Sequence, residues 1–164
     1  MKIIPVNIAR DLASNLYLLT LDVTTVANFS FGVAEKDERK SQQISLDLLW
    51  RCLKSNLIKF FPEDFFLKNK KWTDLESLMI DLAQQDQDSI PWLIPQLTCT
   101  SKGNSLYKEF FSGKCLFYIS NDIKDKKDLT YNDDIIMKFS FRICEIFEEC
   151  GVPWSDEPLF PSRY

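Results

Sequence analysis

The stretch NLYLLTLDVTTVANFSF, residues 15–31, decides the fold. Its run of Val and Thr has the β-branched richness of a strand pair. Yet Leu16 and Leu19 continue an apolar stripe begun at Ile8 and Leu12. Val23, Val26, Ala27 and Phe31 then fall at a second set of helical spacings. The expectation is helix, with a small N-terminal two-stranded sheet as the alternative. A mainly α chain built as a single-domain helical bundle follows from the first reading, and an α+β chain from the second.

The rest of the chain favours helix. Only four Gly occur in 164 residues, few for a turn-rich all-β fold that needs Gly at positive φ. Thirteen Phe and 45% hydrophobic residues supply the core of one ordinary domain and exclude a disordered chain. A helix is expected over 73–87, opened by a capping box of Thr73 and Glu76 and carrying Leu75, Leu78, Met79 and Leu82 on one face, with Ser89 and Pro91 closing it. A second is expected over 45–60, with Leu46, Leu49, Leu53, Leu57 and Phe60 aligned and Asp47 placed four residues before Arg51.

A third, over 131–150, is apolar around most of its girth. Ile136, Phe139, Ile143, Phe147 and Cys150 line one side, and Met137, Phe141 and Cys144 another, so neighbours should pack on two sides. A short helix is expected over 104–112. The apolar run KCLFYIS, residues 114–120, fits strand or helix equally. These elements make one helical domain over 1–152. The Pro-rich tail over 153–164 is expected to be extended and docked through Trp154, Leu159 and Phe160.

Composition also bounds function. The opening residues MKIIPVNIA lack a signal-peptide apolar region, and no apolar run approaches the ~18 residues of a membrane span. Five scattered Cys read as reduced thiols, which points to a cytoplasmic protein. The chain has no His, so the usual general base and the commonest metal ligand are missing. Phosphate-cradling Gly motifs and zinc-knuckle Cys pairs are missing too. The expectation is a non-enzymatic protein with no cofactor, no metal and no membrane partner. NDIKDKKDLTYNDD, residues 121–134, holds five Asp and three Lys, but Asp122, Asp125 and Asp128 do not have calcium-loop spacing. It reads as a solvated connector.

Two charge patterns point to partners. Residues 36–71 carry nine basic and five acidic side chains, and FLKNKKW, residues 66–72, sets Lys68, Lys70 and Lys71 beside Trp72. Lysines interleaved with aromatics can hold a single strand. This supports the alternative reading, a nucleic-acid-associated protein of phage or mobile-element origin. The opposite pattern covers residues 72–101, with five acids and no Lys or Arg. Asp74, Asp81 and Asp88 stand seven apart, and no basic residue lies within helical reach of Asp81 or Asp88. A second acid-only run covers 143–162. Uncompensated carboxylates on a rigid helix can steer and dock a basic protein. The expected partner-binding set is Asp74, Asp81, Gln85, Asp86, Asp88, Glu145 and Glu149, with Trp92, Trp154 or Tyr164 as aromatic anchors.

With a net charge of −4, no His, few Gly and many Phe, Ile, Lys and Asp, the chain resembles the small acidic immunity proteins of bacterial toxin systems, including those of contact-dependent inhibition. The segment SLDLLWRCLKSNLIKFFPEDFF, residues 45–66, is similar to helix–turn segments of such proteins. The resemblance implies a cytosolic protein that binds and neutralises one cognate toxin domain, a basic nuclease being well suited to an acidic surface. It assigns no individual residue.

Overall fold

Residues 15–31 contain both readings. In a computed structural model, which describes residues 1–111 and 133–163, helix α1 (Val6–Leu21) carries the first stripe, and Ile8, Leu12, Leu16 and Leu19 are buried. The second stripe is not helical. After Asp22 the chain is extended, forms strand β1 (Thr24–Thr25), and makes a 3-10 turn over Val26–Asn28. Val26 and Phe31 are buried as expected, but from 3-10 and loop backbone. The consecutive β-branched residues Val23, Thr24 and Thr25 are stiff at χ1 and suit a pleated strand.

Helix α2 (Glu38–Lys54) begins and ends earlier than expected. Asp37 caps it by accepting from Lys40 N–H at 3.1 Å. Asn56 then takes a left-handed φ of 58°, which breaks the helical period. Leu57 and Phe60 are therefore buried from an extended segment rather than a helix, and Ile58–Phe61 form strand β2. Helix α3 (Phe65–Lys68), helix α4 (Leu75–Ala83) and helix α5 (Ile90–Leu93) lead to strand β3 (Gln96–Cys99). Helix α6 (Ser101–Phe111) and helix α7 (Asp133–Glu149) complete the described elements.

The three strands form one antiparallel sheet in the order β1-β3-β2. Leu97 at its centre is opposite Thr24 on one side and Phe60 on the other. The chain is thus mainly helical with a small three-stranded sheet, not a pure bundle; the expected helix over the second stripe is corrected, and the alternative N-terminal strand pair is corrected to one strand in that sheet. β1 pairs with residues some seventy positions away along the chain, which no local pattern reveals.

Helix α7 packs on the N-terminal segment. Ser140 Oγ donates to Ile4 O at 2.6 Å, and Ile4 N–H points at Cys144 Sγ. Phe139 meets Phe111 of α6 edge-on at 5.1 Å. Its wide apolar girth is only partly covered: Ile136, Phe139, Ile143, Cys144 and Phe147 are buried, whereas Met137, Phe141 and Cys150 are exposed. Loop residues 30–34 are tied to α1 by two buried polar side chains. Asp11 accepts from Ala34 N–H at 2.8 Å and Asn15 donates to Ser30 O at 2.8 Å.

The Asp47–Arg51 pair does more than support its own helix. Arg51 is fully buried, 3.9 Å from Asp47, and binds the C-terminal segment. Its Nε donates to Pro153 O at 3.0 Å, and its guanidinium sits 5.1 Å from the Trp154 ring. Asp47 accepts from Leu159 N–H at 3.1 Å. Gln43 donates to Phe160 O at 3.0 Å and accepts from Ser162 N–H at 2.7 Å, while Phe160 packs on Trp50. Leu159 itself is exposed, so it is the backbone there that docks. Residues 114–120, the connector except its last two residues, Cys115 and Tyr164 lie outside the described residues. Among the described residues no helix is long and apolar enough to cross a membrane.

Candidate interaction surface

The acid-only stretch does not fold as one helix. Asp74, rather than Thr73, is the N-cap of α4. It accepts from Ser77 N–H at 2.8 Å, and Ser77 Oγ accepts from Asp74 N–H at 3.2 Å. Asp is at least as good a cap as Thr, which explains the shift of one residue. These hydrogen bonds hold the Asp74 carboxyl below its ordinary range. Asp74 therefore has a structural task.

Asp81 is not free either. The Trp72 indole donates to Asp81 Oδ2 at 2.9 Å, and Lys71 Nζ lies 3.0 Å from the same oxygen. Lys71 sits before the helix and returns to Asp81 through the chain turn, so helical spacing does not reveal the pair. This also empties the alternative basic site of its stacking platform. Trp72 is only 2% exposed and stacks on Phe65, Lys71 lies over its ring, and Lys68 pairs with Asp64 at 3.0 Å.

Four of the five acids in the second acid-only run, all but Glu157, are compensated from outside its own span. Arg142 lies 3.0 Å from Glu145 and 3.6 Å from Glu149. Glu148 faces the Met1 amino group, and Asp156 pairs with Lys2. Trp154 is buried on Arg51, and Trp92 is 0% exposed with its indole N–H given to Leu82 O at 3.1 Å. Neither tryptophan is available as a surface anchor. Burial is the reason: both rings fill the core around α2 and α4, which composition alone could not distinguish from an exposed ring.

What remains is a shorter surface. Helix α4 stops at Ala83, so Gln84, Gln85, Asp86 and Asp88 lie on a turn and are exposed. Gln85 O accepts from the buried Gln42 side chain at 2.7 Å, which anchors the turn to α2. Asp86 Oδ1 accepts from Asp88 N–H at 3.0 Å. Neither Asp86 nor Asp88 has an ion pair among the described residues.

The turn feeds directly into α5. Pro91, expected to close a helix, instead stands in the first turn of this one, where a missing N–H costs nothing. Pro91 and Trp92 face the core. Ile90, Leu93 and Ile94, spaced i, i+3 and i+4, face outward at 63%, 49% and 46% exposure. Such spacing puts three apolar side chains on one side of a helical turn. Here that side faces solvent.

Ile94 continues into an open groove with Phe61, Pro62, Phe65, Lys68, Lys70 and Gln96. Phe61 and Gln96 are opposite each other in the sheet, and Phe61 is half exposed. Ile90, Leu93, Ile94 and Phe61 thus form a chain of large exposed apolar side chains, acidic at one end and basic at the other. Position in sequence could have signalled it: SIPWLIP, residues 89–95, has its apolar residues at helical spacing on both faces.

A second open groove runs beside β2, lined by Leu53, Phe60, Phe66, Leu75 and Cys99 among others. Its Lys59 and Glu63 pair with each other. Burial pushes the Cys99 thiol up to about 11 and also raises Cys52 and Cys144. These thiols are protonated near neutral pH and poorly nucleophilic. Among the described residues no three His, Cys, Asp or Glu side chains cluster as a metal site would require. Compared with known proteins, the chain matches no family model, no curated protein and no solved structure.

Proposed function

We propose that this chain is a non-enzymatic binding protein that docks a basic protein domain on the surface formed by Asp86, Asp88, Ile90, Leu93 and Ile94. In the reading suggested by its resemblance to immunity proteins, the docked domain is a bacterial toxin, and binding neutralises it. The observation that carries the proposal is the outward apolar stripe of α5 beside two carboxylates without ion pairs. Protein interfaces combine an apolar centre with a polar rim, and clustered exposed apolar side chains mark such sites. Asp86 and Asp88 supply the field that draws a basic partner, and the stripe supplies the contact that holds it.

The test uses the product of the reading frame adjacent to this chain, purified, assayed for toxicity and titrated with it. Binding is expected, with an association rate that falls as salt rises. Replacing Asp86 and Asp88 by Lys should slow association and remove that salt sensitivity. A neighbouring product that is harmless without this chain would overturn the toxin reading. The nucleic-acid reading makes the opposite forecast, salt-dependent retention on single-stranded nucleic acid. The burial of Trp72, whose indole is given to Asp81, and the pairing of Lys71 with the same carboxylate weigh against it.

A further inference from the structure

The exposed stripe has opposite charges at its two ends. Asp86 and Asp88 precede Ile90, and the groove beyond Ile94 is walled by Lys68 and Lys70, both exposed. Lys70 has no ion pair among the described residues. Lys68 pairs with Asp64 four residues earlier, an exposed contact that contributes little and exchanges readily. Acid, apolar stripe, apolar groove and base therefore follow one another across the face.

A surface of this order is complementary to itself. A two-fold axis through the apolar centre brings residue i of one copy to residue j of the other, and j to i. Stripe then meets stripe, and each acidic end meets a basic end. A uniformly basic partner satisfies only Asp86 and Asp88 and leaves Lys68 and Lys70 facing like charge. A second copy satisfies both ends.

We propose that this chain forms an isologous homodimer in which Ile90, Leu93, Ile94 and Phe61 of the two copies pack together, with Asp86 and Asp88 of each facing Lys68 and Lys70 of the other. As a regulation of the docking face this rests on the function proposed above: the dimer covers the stripe until a basic partner, whose contact extends beyond these four side chains, displaces the second copy. As an association it stands independently of that reading. Four partly exposed side chains make a small apolar centre, so the dimer is reversible and weakens as salt screens its charged ends.

The experiment is sedimentation velocity on the full chain over a range of concentrations, with melting curves to verify folding. The wild-type mass is expected to rise from 19.2 kDa toward twice that value as concentration rises. D86K/D88K and K68E/K70E should each remain at 19.2 kDa alone, because each makes both ends of its own surface alike. Mixed in equal amounts they should dimerise again, since each then presents the charge the other lacks. L93D should be monomeric alone and in every mixture. A wild-type chain that stays at 19.2 kDa at every concentration overturns the proposal, as does a dimer unmoved by either reversal or a mixture that does not recover. The docking reading is tested apart from this, with the K68E/K70E protein and the product of the adjacent reading frame. That variant keeps Asp86, Asp88 and the stripe. Its failure to bind would sink the docking reading and leave the dimer standing.

Discussion

The Trp72 indole donates to Asp81 Oδ2 over 2.9 Å, and Lys71 Nζ stands 3.0 Å from the same oxygen. A carboxylate that sequence spacing leaves alone on a helix is thus the tie between α4 and the segment before it. Its hydrogen bond is charge-assisted and partly buried, so Asp81→Ala should destabilise the chain by about 1.5–3 kcal/mol, the range for hydrogen bonds to charged groups. Urea unfolding measures this. Asp86→Ala and Asp88→Ala, on the exposed turn, should leave the urea midpoint unchanged.

The Asp47–Arg51 pair gives a second expectation, about the C-terminal segment. Removing one partner of a buried pair leaves the other charge uncompensated. Arg51→Met should therefore cost about 3–5 kcal/mol and loosen residues 153–163. Hydrogen exchange at Leu159 and Ser162, whose N–H groups Asp47 and Gln43 accept, reports the loosening.

Asp47 also sets a pH dependence. Burial raises its folded pKa above the ordinary 3.8, against the lowering effects of Leu159 N–H and Arg51. The folded chain binds that proton more tightly than the unfolded chain. The stability contributed by this group is fully present below pH 3.8 and is lost as the pH rises through the folded value. Asp47→Asn does not titrate there. Measured by urea midpoints, wild type should therefore lose stability relative to Asp47→Asn as the pH rises above 3.8, with the difference constant at higher pH. The opposite slope would mean that the Arg51 charge, not burial, dominates at Asp47.

Gly103 tests the packing of α6 on the sheet. A Cβ there would lie 2.1 Å from Leu57 O and 2.8 Å from Cys99 Sγ, and the first of these is backbone that cannot yield cheaply. Gly103→Ala should cost at least the ~1–3 kcal/mol typical of overpacking, although alanine is the better helix former. A thermal melt of the variant decides it. An unchanged melting temperature would place α6 farther from β2 than described.

Helices α1 and α7 were legible because an amphipathic stripe is a local signal: Ile8, Leu12, Leu16 and Leu19 announce the one, Ile136, Phe139, Ile143 and Phe147 the other. The sheet was not legible, because its pairing is non-local. Thr24 meets Leu97, and Leu97 meets Phe60, and no window of sequence contains any of those pairs. The candidate surface failed in sequence for a different reason: windows drawn to hold only acids stop short of partners that in two cases lie just outside them. Glu145 and Glu149 were read without Arg142, Asp81 without Lys71, and Asp156 without Lys2, so compensated carboxylates looked bare. Asp86 and Asp88 have no ion pair among the described residues, and their apolar neighbours follow a proline whose place in the first turn of α5 the sequence pattern does not reveal.

The central claim is that the outward stripe of α5 and its two carboxylates form a docking face. It is tested most directly in cells that express the product of the adjacent reading frame, the proposed partner, together with wild type, Leu93→Asp or Asp86→Lys/Asp88→Lys, all at equal folded levels. Wild type should protect, and both variants should fail, because one removes the apolar contact and the other reverses the field that brings the partner in. Equal protection by all three would contradict the account and move the binding surface away from residues 86–94.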